Sequence, residues 1–196
     1  MPNTHKLKLN TMINHAKSVR LGIKKTLMVV DMPKGTYQTP AQAKKNAKLI
    51  LRETRCDAIK IENNLNNLNI IKILTKSKIN VMGHIGFTPQ FKKKFKVEGK
   101  SKAEEKRLIK DAKMIERAGA FSIVLECVAK KTSQKITKEL KIPTIGIGSS
   151  AYCDGQILVT DDMLGLSGFY PKFVKKYISL EKNIENAVKK FVKDVK

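Results

Sequence analysis

Tryptophan is absent from the 196-residue chain, aromatic residues make up only 6% of it, and cysteine occurs three times. Cys56, Cys127 and Cys153 stand far apart with no C-x-x-C spacing. That pattern builds neither a disulfide framework nor a zinc site. Long apolar runs are missing too: no stretch approaches the ~20 residues needed to cross a bilayer. The start, Met1-Pro2-Asn3-Thr4-His5-Lys6, lacks the apolar centre of a signal peptide. A cytoplasmic location with no membrane partner is the expectation.

Acidic residues are scarce, 17 against 40 basic, for a net charge of +23. An excess of that size invites a polyanion. Arginine, however, is confined to Arg20, Arg52, Arg55, Arg107 and Arg117. The lysines that make up the rest fall largely on the outer faces of predicted helices. The surplus of Lys, Asn and Ile together resembles a coding bias toward A/T. The densest basic run, Phe91-Lys92-Lys93-Lys94-Phe95-Lys96, reads as a solvated loop ahead of a polyanion site. Nucleic acid is therefore not the expected partner, and lysine-driven polyanion binding stands as an alternative.

What is present is a soluble composition, 41% hydrophobic and 29% charged, long enough for one buried domain over residues 1–196. Leu9, Met12, Ile13, Ala16 and Val19 form a helical stripe ending at Gly22. Thr26–Val30 reads as a strand leading into Asp31. Thr39-Pro40-Ala41-Gln42 opens a helix with a cap residue and a proline at its first position, followed by Ala43, Ala47, Ile50 and Leu51 on one face. Strand Ala58–Ile61 leads into Glu62, a helix is expected near 65–77, and strand Ile79–Met82 leads into Gly83-His84. Ser101-Lys102-Ala103-Glu104 is a capping box, strand Phe121–Leu125 leads into Glu126, and a lysine-rich helix precedes strand Thr144–Ile147. A last strand is expected over Gln156–Val159, and a helix from Leu180 with Ile184, Ala187, Val188, Phe191, Val192 and Val195 on one stripe.

Strands alternating with helices predict a parallel sheet covered by helices, with ligands at the carboxyl ends of the strands. Asp31, Glu62, His84 and Glu126 each follow an apolar strand. The expected architecture is α/β, a (β/α)8 TIM-barrel type with about six strands, incomplete at its N-terminal side. In Ala58-Ile59-Lys60-Ile61-Glu62 the period of two puts Lys60 and Glu62 on one face and the isoleucines on the other. Those two charges read either as a simple ion pair or as a ligand site.

Asp31 and Glu62 read as two carboxylates for a hard cation such as Mg²⁺, or else as helix caps. Lys60 suits a substrate carboxylate or keto oxygen. Glu126, among apolar neighbours, reads as a proton-transfer group or a strand-end cap. His84 reads as an electrophile or a structural support. Gly146-x-Gly148-Ser149-Ser150 reads as a phosphate cradle or as tight strand packing.

Several motifs occur in order: Asp31-Met32-Pro33, Lys60-Ile61-Glu62, Gly83-His84-Ile85-Gly86-Phe87-Thr88-Pro89-Gln90, Val124-Leu125-Glu126-Cys127, and Ile145-Gly146-Ile147-Gly148 before Cys153-Asp154-Gly155-Gln156-Ile157-Leu158-Val159. With the tail Tyr170-Pro171-Lys172-Phe173-Val174-Lys175 they resemble the ketopantoate hydroxymethyltransferase family of pantothenate biosynthesis, from about residue 3 to the end. The resemblance implies transfer of a one-carbon unit from 5,10-methylenetetrahydrofolate to the ketoacid 3-methyl-2-oxobutanoate, with Mg²⁺. It implies metal binding by Asp31 and Glu62, substrate binding by Asp31, Lys60 and His84, and Glu126 as the catalytic base. A homo-oligomer is implied as well.

The family also carries an earlier Gly-Asp-Ser segment that nothing before Leu27 supplies, so the chain is expected to begin partway into the family's barrel. Lys34 and Asn63-Asn64 depart from the family pattern beside the metal site. A non-catalytic binding or assembly partner is the other class of reading.

Overall fold

The computed structural model describes residues 6–62, 67–92, 95–168 and 170–195. They form two compact units, Met1–Gly155 and Gln156–Lys196. In the first unit, helix α1 (Leu9–Gly22) precedes β1 (Val29–Asp31), α2 (Pro40–Thr54), β2 (Ala58–Lys60), α3 (Leu68–Lys76), β3 (Val81–Gly86), α4 (Lys102–Arg117), β4 (Ser122–Glu126), α5 (Lys130–Glu139) and β5 (Thr144–Ile147). A two-residue strand, β6 (Gly155–Gln156), ends the sheet, whose strand order equals the chain order. Every register recorded from β1 to β5 is parallel.

That order identifies an arc of a (β/α) barrel. In a doubly wound sheet the strand order reverses at a switch point, whereas steady progression keeps the helices on one side. The sheet is open at β1, since no described strand pairs with its outer edge. The expected incomplete α/β barrel is what the structure contains.

Local sequence explains most elements. Thr39 Oγ1 accepts from the Gln42 N–H at 3.2 Å, and the Gln42 side chain reaches back to the Gln38 N–H at 2.8 Å. At α4 the Ser101 hydroxyl accepts from Glu104 N–H, while the Glu104 carboxylate accepts from Gly99 and Lys100. Ala43, Ala47 and Ile50 bury one face of α2, and Leu108, Ala112 and Ile115 one face of α4. Where the sheet meets these helices lie Ile59, Ile61, Val81, Ile123 and Leu125, all fully buried. Gly83 lets α4 sit down on β3: an added Cβ would meet Ile115 Cγ2 at 2.5 Å.

Strand bounds differ from the sequence expectation: β3 runs Val81–Gly86 and contains His84, and Asp31 and Glu126 are the last residues of β1 and β4 instead of following them. The first strand begins at Val29, because Leu27 is exposed and the Met28 N–H is taken by the Asp57 carboxylate. The last strand stops at Gln156; Ile157 and Val159 are exposed, and a short helix, α6 (Thr160–Leu164), follows. The C-terminal helix, α7 (Leu180–Asp194), forms as expected, yet it has no buried residue. An apolar stripe specifies helical period, and burial requires something to cover it.

Candidate active site

The first unit assembles its polar residues strand by strand. Asp31 and Lys60 are register partners on β1 and β2, and Lys60 Nζ lies 2.8 Å from Asp31 Oδ2. Lys60 Nζ also lies 3.3 Å from His84 Nδ1 on β3. On its other side His84 Nε2 is 3.2 Å from Glu126 Oε2 at the end of β4, without the alignment of a full hydrogen bond. Asp31, Lys60, His84 and Glu126 thus form one line across four consecutive strands, three of them at a strand's last residue and His84 two residues before the end of β3. An ammonium group can only donate, so Nδ1 accepts and the imidazole proton resides on Nε2, facing Glu126. Burial, followed by the Lys60 charge, pushes the His84 pKa down, which keeps the ring neutral.

Glu62 lies just past β2 and is 1% exposed. Its pKa is raised to about 7. Burial is the main cause; Lys60 and the Gln90 N–H oppose it, and the Asp31 and Glu126 charges reinforce it. The Lys60–Glu62 pair is therefore no isolated ion pair, because the close contact of Lys60 is with Asp31. Ile59 and Ile61 are both fully buried, as the alternation requires.

A hard cation fits this set. Asp31 Oδ1 is buried without a hydrogen-bond partner, although Oδ2 is paired to Lys60. An orphaned acceptor beside a carboxyl whose proton affinity is raised is a place where positive charge is missing. Among the described residues no group of three or more His, Cys, Asp or Glu is placed to hold a metal ion. Two carboxylates would then be the described donor set, which suits an ion that keeps several of its waters.

The loop after β3 supplies contacts that sequence reasoning missed. Gln90 N–H donates to Glu62 Oε2 at 2.9 Å, and Gln90 also bonds Met32 and Tyr37. Gln90 was visible only as the end of an octapeptide, and nothing in the sequence marked Tyr37. The turn bearing Glu126 is bracketed by Ser149, whose hydroxyl donates to the Leu125 carbonyl at 2.6 Å and accepts from Val128 N–H at 3.0 Å. The glycine loop therefore spends Ser149 on strand packing. Cys127, inside that bracket, has a φ of 51°. Burial, then the Glu126 charge, pushes its thiol up to about 12, so it is no nucleophile.

In the basic run, Lys92 is paired with Glu98 and Lys96 with Glu104. Lys93 and Lys94 lie outside the described residues, as do Asn63 and Asn64. Lys34 sits 5.9 Å from the centre of the Phe91 ring. Among the described residues no helix is long and apolar enough to cross a membrane.

A family model described as ketopantoate hydroxymethyltransferase matches residues 1–196. The 3-methyl-2-oxobutanoate hydroxymethyltransferase of Pelagibacter ubique (strain HTCC1062) is 53% identical over 193 residues, covering 98% of this chain and 75% of that protein. The protein of the same name from Anaplasma marginale (strain Florida) is 46% identical over 199 residues, covering 100% of this chain and 72% of its own. In fold, the chain is similar to 2,3-dimethylmalate lyase of the PEP mutase/isocitrate lyase superfamily. That likeness has a TM-score of 0.56 at 13% identity, over 74% of this chain and 54% of that one.

Proposed function

The chain belongs to the ketopantoate hydroxymethyltransferase family, and on that premise we propose that it transfers a hydroxymethyl group from 5,10-methylenetetrahydrofolate to 3-methyl-2-oxobutanoate. The observation that carries the reading is the line Asp31–Lys60–His84–Glu126, with Glu62 beside it. It puts a cation, a neutral imidazole and carboxylates at one end of one sheet.

In this reading Asp31 and Glu62 hold magnesium, and Lys60 binds the ketoacid. Magnesium held there would supply positive charge to the ketone oxygen and so favour removal of the C3 proton. Glu126 accepts that proton. His84, neutral, keeps its Nε2–H beside the Glu126 carboxylate at 3.2 Å while its Nδ1 faces Lys60. The electron pair left at C3 forms the new carbon–carbon bond to the folate-borne methylene, both of whose carbon–nitrogen bonds break. One water supplies the hydroxyl group, and its second proton and the proton held by Glu126 return to the two folate nitrogens. Assembly into a homo-oligomer belongs to the same proposal, since α7 leaves Ile184, Val188 and Phe191 exposed.

Ketopantoate formation by the purified chain, with Mg²⁺, 3-methyl-2-oxobutanoate and methylenetetrahydrofolate, tests this. Turnover that drops by about 10²–10⁴-fold in Glu126→Gln is the expected result for loss of a general base. A folded chain without turnover would reject the catalytic reading in favour of a non-catalytic partner.

A further inference from the structure

Gln90 is 4% exposed and Tyr37 3%, and neither is among the residues assigned above to proton transfer. Every polar group named here on Gln90 is nevertheless committed to the site. Its backbone N–H donates to Glu62 Oε2 at 2.9 Å, its side-chain Nε2 donates to the Met32 carbonyl at 2.9 Å, and its Oε1 accepts from the Tyr37 hydroxyl at 2.5 Å. Met32 directly follows Asp31, and Met32 N–H in turn donates to the Lys60 carbonyl at 3.0 Å. One glutamine therefore ties the segment after β1, the segment after β2 and its own loop together at the two carboxylates.

The orientation of the Gln90 amide is determined by its partners. A carbonyl can only accept, so Nε2 must face Met32 and Oε1 must face Tyr37. Tyr37 is then the donor, and its side chain fixes the amide that fixes the loop. With Oε2 of Glu62 held by the loop's N–H, the direction in which that carboxylate presents its other oxygen is set before any ligand arrives.

We propose that Gln90 and Tyr37 are positioning residues for divalent-cation binding, a brace that pre-orients Glu62 relative to Asp31. The inference rests on the metal reading given under Proposed function. Groups that orient ligands from behind are worth about 10–100-fold in metal affinity, because an unheld carboxylate must be ordered at the moment of binding.

The test is Mn²⁺ binding to the intact chain, followed by the loss of the free-ion paramagnetic signal, in wild type, Gln90→Leu and Tyr37→Phe. Near-ultraviolet circular dichroism of each sample monitors folding. Gln90→Leu is expected to weaken Mn²⁺ by about 10–100-fold, and Tyr37→Phe, which removes one oxygen atom, to weaken it by a smaller factor with its spectrum unchanged. Variants that bind as wild type does, or that weaken only in step with a loss of folded signal, would overturn the brace. A wild-type chain that takes up no Mn²⁺ would instead sink the metal reading, and the brace with it.

Discussion

Lys60 Nζ and His84 Nδ1 are 3.3 Å apart, and that contact decides which imidazole nitrogen carries the proton. A lysine cation facing Nδ1 forces the Nε2–H form, which points the only ring donor at Glu126. Burial and the same cation both work against protonating the ring.

Replacing Lys60 by Met should therefore raise the His84 pKa. Nitrogen-15 NMR of the imidazole would show a neutral Nε2–H ring in wild type at neutral pH. In Lys60→Met the midpoint is expected to move upward, and an unchanged midpoint would show that Lys60 has no hold on the ring.

Glu62 gives a stability signature in the metal-free chain. Its folded-state pKa, about 7, lies above the ordinary 4.5. Between those values the folded state holds a proton that the unfolded chain releases, so this contribution is complete below about 4.5 and is lost as pH rises toward 7. At 1.36 kcal/mol per unit, up to about 3 kcal/mol is involved. The depressed His84 pKa acts in the opposite direction, so the comparison must be between wild type and Glu62→Gln. The Tm difference should move in favour of Glu62→Gln by several degrees from pH 5 to pH 7. A difference that stays flat would contradict the raised value.

Gly86 is the point at which the β3 loop crosses the end of β4. Its φ is +93°, and an added Cβ would meet the Glu126 carbonyl oxygen at 2.1 Å. Gly35 also has a positive φ, +84°, but open space around it. Gly35→Ala should cost about 1 kcal/mol for the backbone alone, and Gly86→Ala at least about 2 kcal/mol more from the clash with backbone. Urea unfolding of both variants measures the gap.

Glu98 anchors the same loop from below. It is 7% exposed, is paired to Lys92, and accepts from Arg107 Nη2 at 2.8 Å. Its backbone bridges to the segment after Glu126, with Glu98 N–H donating to Cys127 and Ala129 N–H to Glu98. Glu98→Ala takes a carboxylate from two cations that keep other partners, Arg107 with Asp111 and Lys92 with the Gly86 carbonyl, so the loss should be about 1–3 kcal/mol, below that of a fully buried pair. Chemical denaturation would show it, and a loss under about 0.5 kcal/mol would mark an ordinary surface pair.

Whatever depends on near neighbours in the chain was legible from the sequence. The stripes of α2 and α4, the Thr39 and Ser101 caps and the alternation at Lys60 and Glu62 all arise from contacts within a turn or from a period of two. So does the gathering of Asp31, Glu62, His84 and Glu126 toward one end of the sheet, because chain order and sheet order coincide, although only Glu62 lies beyond its strand and His84 sits inside β3. Membership of the family was readable for the same reason, as short motifs in sequence.

Only the tertiary structure decided how those residues address one another. Tyr37 and Gln90 are 53 residues apart, Gln90 and Met32 58, and Ser149 and Leu125 24. No local period records such pairings. The same holds for the tautomer of His84 and the raised proton affinity of Glu62, set by burial and by charges from other strands, and for the Cys127 thiol, raised first by burial and then by its chain neighbour Glu126. Chain neighbours fix backbone geometry, whereas desolvation and charge proximity exist only once distant segments have packed.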